Sequence, residues 1–453
     1  MAMGRRDDER QAPLFVPHTE IDEAPGHVFY DRLAALLAEH DFDAFVEKRC
    51  RPFYAERLGR PSIPPGVYFR MLMVGYFEGL DSERGIAWRC RDSLSLRHFL
   101  GVALTERTPD HSTLCKLRQL HELETHREVF AWVLALLARE KLLKGKTLGI
   151  DATTLEANAA LRSIVRRDTG ESYSAYLEGL AQSSGIATPT RRDRKKLDRK
   201  RRKKGSNTDW KSPTDPDARI TRMKDGRTHL AHKAEHAVDL DSGAVTAVTI
   251  QPADRGDTAS VHATLSEAND QLKDATGRTA DEVVADMGYH SNEVVGTLTE
   301  LDLRTYISEP ERGRRRWKGQ LAVRDAVYAN RERITRAKGQ RLRKRRGELV
   351  ERSFAHCAET GAMRRVHLRG HDNILKRYLV HVAAFNLGLL IRRLVGCGTP
   401  RELANRLARA LARRFGDLAG LVRVLLSVGD RSGDDRAALE HRDTSLIPWA
   451  VAA

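Results

Sequence analysis

The feature that most constrains the fold is the order of β-type runs and amphipathic helices after residue 146. Apolar residues at period two indicate strands, and apolar residues at helical spacing indicate helices. The β-type runs lie at 147–155, 229–240, 244–251, 283–289 and 302–308. A turn at Asp241-Ser242-Gly243 predicts a hairpin, and helices are predicted near 258–275 and 291–301. Three strands able to pair antiparallel, followed by alternating helices and strands, predict an α/β sheet flanked by helices.

A helical region precedes the sheet. Residues 28–142 have helical spacing almost throughout, and within them Ser82 can cap a short helix that is followed by a turn and a second helix, at 81–101. This pair can place a helix in a DNA groove, but an ordinary helical bundle with a basic surface explains the pattern equally well. Ser112 is predicted to cap a further helix. The candidate DNA contacts along the pair are Arg84, Arg89, Arg91 and Arg97.

The charge of the chain points to a polyanionic partner. Among 453 residues, 78 Lys and Arg face 62 Asp and Glu, a formal net charge of +16. Nucleic acid is the first candidate, because each cation placed on a phosphate releases a condensed counterion; a solubilising surface or an anionic membrane are the alternatives. The segment 161–225 is polar and basic, and its dense block 191–204 predicts a solvated, mobile stretch that contacts phosphates. Its candidate contacts are Arg201, Arg202, Lys203 and Lys204.

Other compositional signals concern the compartment. Five scattered cysteines without a CxxC pair indicate reduced thiols and argue against a zinc site or a disulfide framework. The first residues lack the apolar core of a signal peptide. The apolar stretch 374–396 contains Lys376, Arg377 and His381, which predicts a buried helix rather than a membrane span. We therefore expect a cytoplasmic protein, associated with the nucleoid through DNA, that does not bind a membrane.

Three acids are candidates for a catalytic site. Asp151 and Asp286 each close an apolar β-type run, and Glu351 lies on the helix after the last strand. Side chains at the ends of neighbouring strands converge on one rim of a sheet. Carboxylates without a histidine or cysteine cluster favour Mg²⁺ or Mn²⁺, and two such ions about 4 Å apart can activate an attacking oxygen and stabilise a leaving one. Each acid alone has an ordinary explanation, since Asp commonly ends strands and caps helices.

Several longer motifs resemble those of one enzyme family. They are GIDATTLEANA (149–159), DPDARITRMKDGRTHLAHKAEHAVD (215–239), VVADMGYHS (283–291) and LVERSFAHCAETGAMRRVHLRGHDNILKRYLV, which begins at Leu349. Together they resemble bacterial insertion-sequence transposases of the DDE type, and residues 61–120 resemble the N-terminal helical region of the same enzymes. The resemblance implies a ribonuclease-H-like fold with the basic insert between its first and second strands. It also implies that Asp151, Asp286 and Glu351 are the catalytic acids and metal ligands, with Glu348 as the rival for the third position.

The resemblance implies a domain organisation. The expected parts are a flexible N-terminus (1–27), a helical domain that binds DNA ends (28–142), a ribonuclease-H-like catalytic domain (146–396), C-terminal helices (397–430) and a polar tail (431–453).

The implied function is transposition. The enzyme would bind the terminal inverted repeats of its element, as a homodimer on DNA, and use two Mg²⁺ ions, replaceable by Mn²⁺, to cleave DNA and transfer the strands to target DNA. One alternative is a non-catalytic DNA-binding protein or repressor derived from a transposase. Another is a nuclease without strand transfer.

The sequence departs from the family around Glu351. Related enzymes often have a tyrosine, an arginine and a lysine at positions that here hold Lys344, Gly347 and Ala358, so the way of cutting the second strand is not carried over. The candidate DNA contacts in this region are Arg345, Arg346, Arg364, Arg365 and Lys376. Five further residues have either a functional or a packing explanation: Thr153, Asn158, Trp210, His290 and Trp317.

Overall fold

The computed structural model describes residues 26–413 except 56–61, 202–204, 224–225 and residues 312, 314, 316 and 318. The residues up to Pro400 form one compact unit, and a second unit begins at Arg401, where the described residues 401–413 are helical. The predicted DNA contacts Arg202, Lys203 and Lys204 lie outside the described residues, as do most of the predicted flexible N-terminus and the whole polar tail.

The N-terminal part is helical, as the sequence predicts. Its helices are α1 (Val28–Glu39), α2 (Phe42–Cys50), α3 (Pro65–Phe77), α4 (Glu83–Asp92), α5 (Leu94–Leu100), α6 (His111–Leu120) and α7 (Leu123–Arg139). The hydroxyl oxygen of Ser82 caps α4 by accepting from the Gly85 N–H. The prediction that Ser112 caps α6 is wrong, because Asp110 accepts from the Thr113 N–H at 2.9 Å and the helix begins at His111. An ionised carboxylate is a strong acceptor for the free N–H groups of a first helical turn.

The central sheet is mixed. Its strands are β1 (Thr147–Glu156), β4 (Arg219–Arg222), β5 (Thr228–Asp239), β6 (Val245–Pro252), β7 (Glu282–Ala285) and β8 (Arg304–Ile307), while the two-residue strands β2 (Val165–Arg166) and β3 (Trp210–Lys211) pair with each other. In the sheet, β1 pairs antiparallel with β5, and β5 pairs antiparallel with β6 and β4. On its other side β1 pairs parallel with β7, which pairs parallel with β8. The predicted combination of an antiparallel hairpin with alternating helices and strands is confirmed.

The basic insert between β1 and β5 folds around a small core of its own. It contains α8 (Tyr173–Ser183) and α9 (Arg191–Lys200), and its core residues are Ala157, Ile164, Trp210, Ala218 and Leu230. The prediction of a mobile block at 191–204 is wrong for residues 191–200, which form α9. Thr190 and Asp193 form a reciprocal capping box at its start, and Arg and Lys are good helix formers when their charges face solvent.

Helices cover both faces of the sheet. They are α10 (Asp257–Thr276), α11 (Asn292–Glu300), α12 (Leu321–Thr335), α13 (Ala337–Ala355) and α14 (His371–Val395). Neighbouring residues of β5 show the two layers, because Glu235 bonds to α10 while His236 bonds to Ser353 of α13 and Tyr378 of α14. Helix α13 begins ten residues before the predicted start at Gly347 and includes the basic run 341–346.

Helix α14 is a core helix. One helical segment in the described part of the chain, beginning at His371, is long and apolar enough to cross a membrane, and 89% of its apolar window is buried inside the protein. Helix α14 packs against α7, α3 and β6. Its internal charges have partners, for example Arg377, which donates to the Leu80 carbonyl. The prediction of a buried helix at 374–396 is confirmed.

Candidate catalytic site

The strand register brings Asp151 and Asp286 side by side. Strands β1 and β7 are parallel, and Gly149 pairs with Val284. Two residues further along each strand lie Asp151 and Asp286, respectively, so the same register places them opposite each other. Because neighbouring strands lie about 4.8 Å apart, two of the three predicted acids meet where β7 ends, although β1 continues past Asp151 to Glu156.

The two acids interact electrostatically. Burial raises the pKa of Asp286 above its ordinary value, the charge of Asp151 adds to the rise, and the guanidinium of Arg346 opposes it. Asp286 also accepts a hydrogen bond of 2.9 Å from the Gly288 N–H and thereby caps the short 3₁₀ turn Met287–Tyr289. The acid that ends the run VVA thus sits in a half-buried position next to a second carboxylate.

Arg346 forms an ion pair with Asp151. Its Nη1 donates to Asp151 Oδ2 at 2.7 Å, and the Ala152 N–H donates to Oδ1 at 2.8 Å. Both side chains of the ion pair are mostly buried, with 15% of Arg346 and 23% of Asp151 exposed. The sequence predicts Arg346 as a DNA contact, and in the structure it neutralises one of the acids.

Glu351, the third predicted acid, lies near this pair but does not join it. It is exposed on α13 and has no hydrogen-bond or ion-pair partner among the described residues. Ser353 and Phe354, just beyond it, contact His236, which is the cross-strand partner of Asp151. Glu351 is therefore level with Asp151 along the sheet. Within the described part of the chain, no three acidic, histidine or cysteine side chains are close enough together to hold a metal ion.

The rival acid, Glu348, has an ion-pair partner within its own helix. It forms an ion pair of 2.5 Å with Arg352 and is 61% exposed. It lines a cleft with Arg341, Lys344, Arg345 and Leu349, all on α13. Glu351 precedes Phe354 by three residues, about one helical turn, and Phe354 stacks on His236, the cross-strand partner of Asp151. The placement on the helix favours Glu351 as the third acid.

The cleft beside Asp286 is basic. It has a volume of about 500 Å³ and is lined by Ala285, Asp286, Met287, Ser308, Gln340, Arg343, Lys344 and Arg346. Three cations around one acid suit a phosphate backbone, which takes most of the hydrogen bonds in protein–DNA complexes. Sequence reasoning missed Arg343 and Lys344 as candidate contacts. The signal was their helical spacing from Glu351 within the run RLRKRR.

A buried polar network behind Asp286 was also missed. Lys233 and Glu235 lie on β5 with 4% and 0% of their surface exposed, and Lys233 Nζ contacts Asp257 Oδ1 at 2.5 Å. Tyr289 donates its hydroxyl to Glu235 Oε1 at 2.7 Å. Asp257 contributes to the raised pKa of Asp286. Alternating charged residues in a strand usually face solvent, so nothing in the local pattern indicates that α10 covers Lys233 and Glu235.

The predicted DNA contacts of the N-terminal helices fall into two groups. Arg84 and Arg91 are exposed on α4. Arg89 pairs with Glu78 at 3.1 Å, and Arg97 donates to three backbone carbonyls of the loop after α5. The first group is free of these internal contacts, whereas the second holds the local fold together.

The remaining predicted contacts also have internal partners. Arg201 lies 3.5 Å from Asp198 and 5.1 Å from the Tyr176 ring centre, and Arg345 donates to the Asp241 carbonyl. Arg364 and Arg365 are exposed, within 3.5 Å of Glu359 and 3.8 Å of Glu156, respectively. Lys376 donates to the Arg118 carbonyl, and burial lowers its pKa. These contacts leave Arg364 and Arg365 the most accessible of the set.

Structural roles account for several residues left open by the sequence. Trp210 is 3% exposed and packs edge-on against Tyr173 and Tyr176, so it cannot stack on a base. Asn158 donates to the His367 carbonyl at 3.0 Å. His290 is 2% exposed. Thr153 pairs with Ala234 in the β1–β5 ladder, and Trp317 packs against Tyr328 and Arg315.

Two families match the chain. Residues 19–120 match the family described as Transposase domain (DUF772), and residues 186–387 match the Transposase DDE domain. The chain belongs to the DDE transposases. The second match includes Asp286 and Glu351 and begins after Asp151. Searches of curated proteins and of solved structures returned no match.

Proposed function

We propose that this transposase binds the terminal inverted repeats of its element and catalyses metal-dependent DNA cleavage and strand transfer. The observation that carries the proposal is the alignment of Asp151 and Asp286 on adjacent parallel strands beside a basic cleft. The sheet order, with β1 between an antiparallel and a parallel strand, supports a ribonuclease-H-like fold with the first acid on its central strand.

The donor set fits a hard cation. Carboxylate oxygens suit Mg²⁺ and Mn²⁺, and a cation between Asp151 and Asp286 relieves the repulsion that raises the pKa of Asp286. Glu351 is exposed and without a partner among the described residues, so its side chain can turn toward Asp151 at little cost. When bound, the ions supply a more nucleophilic water or hydroxyl and neutralise charge on the leaving oxygen.

The protein's own residues position the DNA. Arg343 and Lys344 are exposed beside Asp286 and can donate hydrogen bonds to the phosphate backbone of the bound DNA end. Arg346 lines the same cleft and, once a cation displaces it from Asp151, can also donate to a phosphate. Exposed Arg84 and Arg91 on the capped helix pair can contact the repeat farther from the cut. Two ends and two active sites imply a dimer on DNA.

The test combines binding with cleavage. Asp151→Asn, Asp286→Asn and Glu351→Gln should each bind DNA carrying the element ends in Ca²⁺ but lose Mg²⁺-dependent cleavage by at least 100-fold. Glu348→Gln is the matched control, an exposed acid one turn away, and should cleave like the wild type. Full cleavage by the three variants would refute the assignment. Binding by the wild type without cleavage would leave the non-catalytic DNA-binding protein as the better description.

A further inference from the structure

Glu235 is a buried carboxylate that the proposed chemistry does not use. It lies in the middle of β5, is 0% exposed, and accepts hydrogen bonds from Tyr289, from Ser260 at 2.7 Å and from Thr264. Lys233 Nζ lies 3.6 Å from its Oε1. Burying a carboxylate is costly unless it is paired and hydrogen-bonded. These donors compensate the charge and hold the Glu235 carboxylate in one position inside the sheet.

Tyr289 connects the Glu235 carboxylate to the turn that Asp286 caps. It ends the 3₁₀ turn that Asp286 caps, and its ring is 0% exposed. Burial and the charge of Glu235 raise the pKa of the Tyr289 hydroxyl far above its ordinary range, so it remains a proton donor at working pH. Glu235 pairs across the sheet with Ala152, the neighbour of Asp151. The hydrogen bond from Tyr289 to Glu235 therefore links the turn that Asp286 caps to β5, the strand that pairs with β1 next to Asp151.

We propose that Tyr289 and Glu235 are positioning residues that fix Asp286 relative to Asp151. The proposal rests on the cation site described above. Both residues are too deeply buried to touch DNA or a cation, and they act through the turn Met287–Tyr289. Metal ligands must be held within about 0.5 Å of their working geometry, and residues behind the ligands commonly set that geometry.

Tyr289→Phe tests the hydrogen bond with the ring left in place. The readout is Mn²⁺ affinity of the full chain without DNA, measured by calorimetry or by loss of the free-ion electron paramagnetic resonance signal. Affinity should fall about 10- to 100-fold, the usual effect of removing a group that orients a metal ligand. Tyr68→Phe is the matched control, since it removes the bond from a fully buried tyrosine to His126 in the helical region. It should bind Mn²⁺ like the wild type.

Glu235→Asp tests the same bond from the other side. It keeps the charge near Lys233 but withdraws the carboxylate from Tyr289 by one methylene, and it should also weaken Mn²⁺ binding. The double variant should bind Mn²⁺ no more weakly than Glu235→Asp alone, because Glu235→Asp already removes the bond to Tyr289. If one variant fails to fold, as judged by circular dichroism, the other carries the comparison with Tyr68→Phe.

The outcomes separate this inference from the proposed function. Wild-type affinity in both Tyr289→Phe and Glu235→Asp would overturn the positioning role and leave the cation site intact. Mn²⁺ binding that is unchanged by Asp286→Asn would remove the cation site and the inference with it. Equal losses in Tyr289→Phe and Tyr68→Phe would show a general loosening of the fold and would also overturn the positioning role.

Discussion

Replacing Asp286 by asparagine should stabilise the protein in the absence of divalent metal. The pKa of Asp286 is raised by burial and by Asp151, so the charged form is disfavoured in the folded state. Two carboxylates roughly 6 Å apart repel by about 1–3 kcal/mol at effective dielectric constants between about 20 and 40. Arg346 cancels part of this repulsion because it pairs with Asp151. A net gain of about 1 kcal/mol remains for Asp286→Asn.

The assay is thermal unfolding in EDTA at pH 7.5 and at low pH. For a chain of this size about 1 kcal/mol corresponds to an increase in Tm of roughly 1 °C. A raised acid pKa stabilises the fold below the ordinary Asp value of 3.8, and this stability is lost as pH rises through the folded-state pKa. The increase in Tm of Asp286→Asn over the wild type should therefore be complete at pH 7.5 and disappear near pH 3.8.

Divalent metal should reverse the order of the two Tm values, so that the wild type melts above Asp286→Asn. Mn²⁺ at about 100 times its Kd stabilises the wild type by about 2.7 kcal/mol, whereas the variant gains little because it lacks a ligand. Asp281→Asn is the control, since its side chain is 55% exposed and its change should leave Tm unmoved. If Asp286→Asn melts at or below the wild-type Tm in EDTA, or if its advantage does not change with pH, the electrostatic reasoning is wrong.

Three further predictions concern the surroundings of the site. In Gly288→Ala the new Cβ would lie 2.5 Å from Asp257 Oδ2, so the turn must shift. We expect a loss of about 1–2 kcal/mol in the free energy of unfolding and weaker Mn²⁺ binding. The control is Gly347→Ala, whose new Cβ meets no atom within 4 Å and which should unfold no more easily than the wild type. Arg343→Ala and Lys344→Ala should each reduce the slope of log K against log salt for DNA binding by about 1, and Arg336→Ala, on a solvent-exposed pair with Glu332, should not. Trp210→Ala should cost the insert about 3–5 kcal/mol, seen as faster tryptic cleavage within 191–201, with Mn²⁺ affinity retained.

The sheet was predictable because its signals are local. Strands β1, β5 and β6 are each at least eight residues long, and the turn at 241–243 connects two of them. Asp151 and Asp286 each follow an apolar run, but only Asp286 lies just past the end of its strand, since β1 continues to Glu156. The register of β1 and β7 places the two acids opposite each other, and their catalytic role stays a prediction.

What the sequence could not provide depends on contacts between distant segments. Glu235 is opposite Ala152 and looks like a solvent-facing residue until α10 covers that face. The start of α13 at Ala337 could not be predicted from the basic run 341–346, because a dense basic run is typical of solvated loops as well as of exposed helices. The Asp151–Arg346 pair joins residues 195 positions apart and follows from the packing of α13 on β1.

The insert has a topological consequence for the sheet. The chain leaves β1 after Glu156 and returns in β5, where Ala231 pairs with Glu156. Its entry and exit are thus neighbours on adjacent antiparallel strands, and its own small core stands apart from the central one. Apart from β4, which pairs with the beginning of β5, the segment is equivalent to one enlarged hairpin turn between β1 and β5. Its length and charge can therefore diverge during evolution while the register between Asp151 and Asp286 stays the same.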